Sequence, residues 1–175
     1  MLEKNNLFMQ PSAIQPLSPI EKFTDNQRFW MKEALAEAHQ AIEHDDIPVG
    51  AVVVCDGIII GRGHNRREID HNPCAHAEIL ALSQAGKMMG NWRLTGAEMY
   101  VTMEPCPTCS FALVLARLRL VVYGMDDPRM GACGSFLNLA QFPGFSHSVS
   151  IRSGLYAEES TQMMQEFFIK QRNKG

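Results

Sequence analysis

The sequence predicts an α/β fold, a mixed sheet with helices on both faces. Three observations carry this. Two β-branched runs flank Asp56-Gly57 in "VGAVVVCDGIIIGRGHN", which is a hairpin pattern. Downstream, helix and strand patterns alternate as helix–strand–helix–strand. The chain has 175 residues, 46% apolar and 20% charged, enough to bury the core of one domain.

Residues 1–23 carry Pro11, Pro16 and Pro19 and few periodic apolar positions, and read as an irregular N-terminal extension. The domain is then 24–175. Thr24 or Asp25 caps a first helix whose Met31, Leu35, Ala38 and Ile42 recur at helical spacing. The hairpin follows. Helical pattern returns at "HAEILALSQAG" and is expected to end at Gly86, a C-cap type. Next come a strand "EMYVTM", a helix from near Cys106 to about Ala116, and a strand "LRLVVYG". A last helix from about Glu158 carries Met163, Phe167 and Lys170 at +4 and +3.

Several function classes are disfavoured. No apolar run approaches the roughly 20 residues of a membrane helix, and the start, "MLEKNNLFMQPSAIQ", lacks the basic and apolar regions of a signal peptide. Five irregularly spaced cysteines do not make a secreted disulfide framework, so a reducing cytoplasm is expected. With a net charge of −3, any nucleic-acid partner must meet a local basic patch. The basic groups available for that are Arg66, Arg67, Arg93, Arg129, Lys170, Arg172 and Lys174.

Cys106 and Cys109, in "EPCPTCS", form a C-x-x-C pair, which serves redox couples, disulfides and metal sites alike. His76 opens one predicted helix and the two cysteines open another, and a thiolate at a helix N-terminus has a lowered pKa. The combination His76-x-Glu78 followed by Pro105-Cys106-x-x-Cys109 is the pattern of zinc nucleobase deaminases. One imidazole and two thiolates give three ligands, which leaves a catalytic zinc one position for water. A carboxylate beside the metal then moves protons, and Glu78 is the candidate. Cys55 reads as buried in a strand and Cys74 and Cys133 as bystanders, although Cys74 lies near enough to His76 to be a substitute ligand.

On these motifs, and on "DIPVGAVVV", "GHNRRE", "HAEILAL", "NWRLTGAEMYVTMEPCPTC" and "GACGS", the chain resembles the cytidine-deaminase-like superfamily. Within it, the chain is similar to the bacterial tRNA-specific adenosine deaminases. The resemblance implies a three-layer α/β/α fold with a mixed, roughly five-stranded sheet, one Zn2+ per chain, and a cytoplasmic homodimer. It implies hydrolytic deamination of the wobble adenosine in a tRNA anticodon stem-loop to inosine, with His76, Cys106 and Cys109 on zinc and Glu78 as proton shuttle. Asn65 matches the family's nucleoside-contacting asparagine, Pro48 its pocket wall, and Asp127 and Arg129 its substrate-facing loop. A backbone donor at Ala77 would meet the base, and Phe168, or its neighbour Phe167, would offer a face to a flanking base. Phe111 stands where the family mostly has a small residue, and Pro107-Thr108 also departs from it; Pro107 echoes free-base guanine deaminases. The alternatives are a deaminase of a free base or nucleoside (guanine or cytosine type), a zinc-stapled RNA-binding subunit, and a thiol redox protein.

Overall fold

The computed structural model describes residues 23–174. The expected N-terminal extension lies outside the described residues except for Phe23. The Arg152 guanidinium sits 4.7 Å from the centre of its ring, and Phe23 packs on the core beside Met31 and Tyr100. Helix α1 spans Asp25–Glu43, and Thr24 caps it in a reciprocal box with Gln27. Strands β1 (Gly50–Cys55) and β2 (Ile58–His64) form the expected hairpin. Its turn residues Asp56 and Gly57 both have positive φ, 49° and 79°, as a tight primed turn requires.

A short helix α2 (Arg67–Asp70) follows, then α3 (Ala77–Met89), β3 (Glu98–Met103), α4 (Pro107–Leu115), β4 (Leu120–Met125), β5 (Ser150–Ser153) and α5 (Ala157–Arg172). Helix α3 does not stop at Gly86. It continues to Met89 and closes on Gly90, whose φ of 60° is the left-handed cap. The sequence reading did not single out α2 or β5.

The sheet order is β2-β1-β3-β4-β5, antiparallel on the hairpin side and parallel from β3 to β5. Alternate residues serve opposite faces. Val53, Met99 and Val121 pack with Ala81 and Leu113 of α3 and α4. Val52, Tyr100 and Val122 pack with Met31 and Ala34 of α1, and Ser160 of α5 lies against Gly124 on the same side. The result is three layers, α/β/α. Among the described residues no helix is long and apolar enough to cross a membrane.

The topology gathers one edge of the sheet. Parallel pairing sets Met103 beside Met125, so the chain leaves β3 and β4 at the same end. Antiparallel pairing of β1 with both neighbours brings the start of β1 and the end of β2 there too. Ligands in open α/β sheets bind outside the carboxyl ends of the parallel strands.

Candidate active site

His76 is the N-cap residue of α3 and Cys106 that of α4. Neither caps its helix with its side chain, because both side chains point at each other. His76 Nδ1 lies 3.6 Å from Cys106 Sγ and 3.4 Å from Cys109 Sγ. The three donor atoms all fall within 4.8 Å of one another, the one such histidine–cysteine–acid group found among the described residues. Zinc bonds of about 2.0–2.1 Å to nitrogen and 2.3 Å to sulfur, at tetrahedral angles, separate such donors by roughly 3.6 Å. The trio therefore fits a tetrahedral metal without rearrangement.

The electrostatics of the trio are those of a ligand set. A hydrogen bond from Cys109, then one from His76, draws the Cys106 thiol down to about 4. Cys109 is pushed the other way, by its hydrogen bond to Cys106 and by burial, so one proton stays between the pair. The His76 imidazole is raised through its hydrogen bond to Cys106, against the opposing effect of burial.

Glu78, in the first turn of α3, is 4% exposed. Burial lifts its carboxyl to about 7, and the Cys106 charge acts in the same direction. A carboxyl in that range exchanges protons readily near neutral pH.

These groups face a cavity of about 520 Å3, within the usual size range of small-molecule sites. His76, Glu78 and Cys106 line it together with Asn65, Asp127, Arg129 and Phe168. Asn65 is 6% exposed, and its Oδ1 accepts a hydrogen bond from the Ala77 backbone N–H at 3.0 Å. Since that N–H is a donor, the Asn65 amide oxygen must face it, and the NH2 group is left to the cavity.

The chain as a whole matches known proteins. A family model described as MafB19-like deaminase covers residues 25–172. The chain belongs to this family. A tRNA-specific adenosine deaminase of Bacillus subtilis (strain 168) is 46% identical over 145 residues, which is 83% of this chain and 90% of that protein. A structure solved in a study of A-to-I editing by tRNA:A34 deaminases at the wobble position of transfer RNA superposes with a TM-score of 0.75. It is 41% identical, covering 77% of this chain and 98% of its own. A guanine deaminase of B. subtilis is 36% identical with a TM-score of 0.53, over 56% of this chain and 63% of that one.

Within the deaminase, the other sequence expectations fall as follows. Phe167 is buried in the core, whereas Phe168 is 42% exposed and lines the cavity. Pro48 is buried and does not line the cavity; its neighbours Ile47 and Val49 do. The Ala77 N–H is already taken by Asn65. Cys74 is exposed and outside the metal trio, Cys55 is only half-buried, at the end of β1, and Cys133 is buried. Of the seven basic side chains named from the sequence, Arg67 and Arg129 line the cavity. Arg66 is paired with Asp70 at 2.9 Å, Lys174 with Asp45, and Arg93 lies over Trp92. Arg67 has its Nε buried without a hydrogen-bond partner.

Sequence reasoning passed over Glu104. It stands directly before the Pro-Cys-x-x-Cys motif, which does not include it. Its carboxylate is buried at the cavity wall and accepts three backbone hydrogen bonds. An acid directly after a strand and before Pro-Cys was the available signal.

Proposed function

We propose that this chain deaminates the wobble adenosine of a tRNA anticodon loop to inosine, with zinc held by His76, Cys106 and Cys109. The observation that carries this reading is the convergence of that trio with the buried Glu78 on one cavity. The similarity to tRNA-specific adenosine deaminases supplies the substrate class. When bound, zinc supplies Lewis acidity that brings the pKa of a water from about 15.7 to about 7.

Glu78 takes the proton from the attacking water and delivers it to the purine ring nitrogen. It then takes the remaining proton from the hydroxyl newly added to the base and passes it to the departing amine, so water enters, the carbonyl forms and ammonia leaves. Asn65 orients the base through its amide NH2. Phe168 offers a face to a neighbouring base, and Asp127 and Arg129 form the wall that the RNA strand meets. Extruding the target base costs a few kcal/mol, and an anticodon loop lowers that cost because its bases are already unpaired. Arg67, which lines the cavity with its Nε buried and without a hydrogen-bond partner, is suited to a backbone phosphate.

The reading extends to a homodimer in the cytoplasm. Phe111 (40% exposed) and Leu115 (54%) on α4, with Trp92 (58%) beyond α3, form an apolar face beside a groove of about 640 Å3. A second copy would cover it. Phe111, the departure from the family pattern, packs against Phe145 with ring centres 5.0 Å apart and planes tilted by 52°. All five cysteines are unpaired thiols, as suits a reducing compartment.

The test is to incubate zinc-loaded protein with transcribed tRNA bearing a wobble adenosine and sequence for inosine, with guanine, cytosine and free adenosine in parallel. Inosine at the wobble position alone is expected. Ammonia from guanine with unaltered tRNA would replace this reading with a free-base deaminase.

A further inference from the structure

Glu104 is 3% exposed, and among the described residues no arginine or lysine pairs with it. Its partners are all backbone. Oε2 accepts from the Asp127 N–H at 3.0 Å, and Oε1 accepts from the Cys133 and Ser135 N–H groups, each at 3.0 Å. These donors belong to the two limbs of the irregular segment that follows β4. One carboxylate thus draws both limbs together at its base.

Between the limbs lie Pro128, Arg129, Met130 and Gly131, of which the first three line the cavity. Gly131 passes directly over the carboxylate. A Cβ there would sit 2.2 Å from Glu104 Oε2 and 2.5 Å from the Asp127 carbonyl, so no side chain fits. Within the loop, Asp127 Oδ1 accepts from the Arg129 N–H at 3.0 Å, and the Gly131 N–H donates to the Asp127 carbonyl at 2.8 Å. The Ala132 N–H donates to the Pro105 carbonyl at 2.8 Å, next to Cys106. Glu104 and Pro105 therefore join the turn bearing two ligand-type thiols to the loop bearing Asp127 and Arg129.

We propose that Glu104 is a positioning residue for substrate. It fixes the Asp127–Ser135 loop at a set height over the His76–Cys106–Cys109 trio, and so sets where a bound nucleotide lies relative to the reacting centre. It touches neither base nor metal. The proposal rests on the reading of this cavity as the RNA-deaminating site, and it makes Gly131 the second half of the same device.

The variants are Glu104→Gln and Gly131→Ala. The amide keeps one acceptor oxygen and turns an NH2 toward a backbone N–H, so at least one loop contact is lost. In Glu104→Gln, amide hydrogen exchange at Asp127, Cys133 and Ser135 should accelerate at least tenfold while β3 and β4 stay protected. Zinc content should stay at the wild-type level. For a wobble-adenosine stem-loop, kcat/KM should fall roughly 10- to 100-fold, with most of the loss in KM. Gly131→Ala should reproduce the KM effect with Glu104 intact, which keeps the test open if Glu104→Gln does not fold. Unchanged exchange at the three amides, or unchanged KM in both folded variants, would overturn the proposal. So would zinc loss with the loop still protected, since Glu104 would then serve the thiol turn alone. The exchange measurement needs no RNA; a wild-type protein inert toward tRNA would instead count against the functional reading.

Discussion

The side chain of Asn65 caps helix α3 from outside the helix, accepting from the Ala77 N–H at 3.0 Å. The N-cap residue itself, His76, makes no side-chain cap because its ring is turned to the thiols. A helix start needs its first N–H groups satisfied, and here a residue at the end of the hairpin does it. Asn65 thereby holds the helix that carries His76 and Glu78, and it presents its NH2 to the cavity.

The two duties of Asn65 separate by substitution. Asn65→Asp keeps an acceptor for Ala77 and loses the donor, so the protein should keep its melting temperature and zinc while kcat/KM falls roughly 10- to 100-fold. Asn65→Leu leaves a buried N–H unpaired and should also cost about 1–3 kcal/mol of stability. Equal stability loss in both variants would mean that the capping bond is not the oxygen's task.

Glu78 is close to the trio without belonging to it. Glu78→Gln preserves shape and removes the exchangeable proton, so zinc stoichiometry should hold while kcat falls by roughly 10²–10⁴. Single-turnover deamination of a stem-loop with matched metal analysis measures both. Wild-type turnover in that variant would assign the proton path elsewhere.

The parts legible in the sequence were those set by local rules. Asp56-Gly57 announced its hairpin through turn chemistry, and the histidine and cysteine motifs announced the trio because metal ligation fixes residue type and short spacing. The N-terminus of α4 was legible for the same reason. Strand β5, "SIRS", was not, because an edge strand with no fully buried residue has no apolar alternation to read. Gly86 misled about the end of α3, since helix packing on the sheet outweighed a propensity cost of about 1 kcal/mol. Least legible was the Asp127–Ser135 loop, whose form depends on Glu104, more than twenty residues earlier. No periodicity in the loop itself carries that information.

Metal loading should release protons. At pH 7 Cys106 is already a thiolate and Cys109 retains its proton, while the hydrogen bond to Cys106 favours the protonated His76 imidazole. Zinc requires two thiolates and a neutral imidazole, so binding at pH 7 should release at least about one proton, that of Cys109, and affinity should fall as pH is lowered. Calorimetric titration in buffers of different ionisation enthalpy reads the number directly. Zero proton release would contradict the shared proton between the two thiols.

The apolar face of α4 yields a test of assembly. Leu115 is 54% exposed and lines the groove beside Trp92. A charge there is harmless to a monomer but unpaired when a second copy covers it. Leu115→Lys should shift the sedimenting species from dimer to monomer at micromolar concentration without changing the circular dichroism spectrum. Identical sedimentation of variant and wild type would remove this face from the dimer contact.

Stability toward alkali should be limited by acids that the fold keeps neutral. Burial raises the Cys133 thiol from 9.0 to about 12, against a modest opposing hydrogen bond with Ser110. It raises the Tyr100 hydroxyl from 10.0 to about 12, and Tyr123 shifts in the same direction. The sign follows from proton counts. Below pH 9 the Cys133 thiol is protonated in both folded and unfolded chains, and its contribution is fully present. From 9 to 12 the unfolded chain ionises while the folded one does not, so stability falls as pH rises, by a few kcal/mol at most. Urea denaturation at intervals from pH 8 to 11 should show that decline. Cys133→Ser, which keeps a hydroxyl partner for Ser110 but does not ionise in this range, should flatten the slope whatever its effect on stability at pH 8. An unaltered slope in that variant would mean that the buried thiol plays no part in alkaline unfolding.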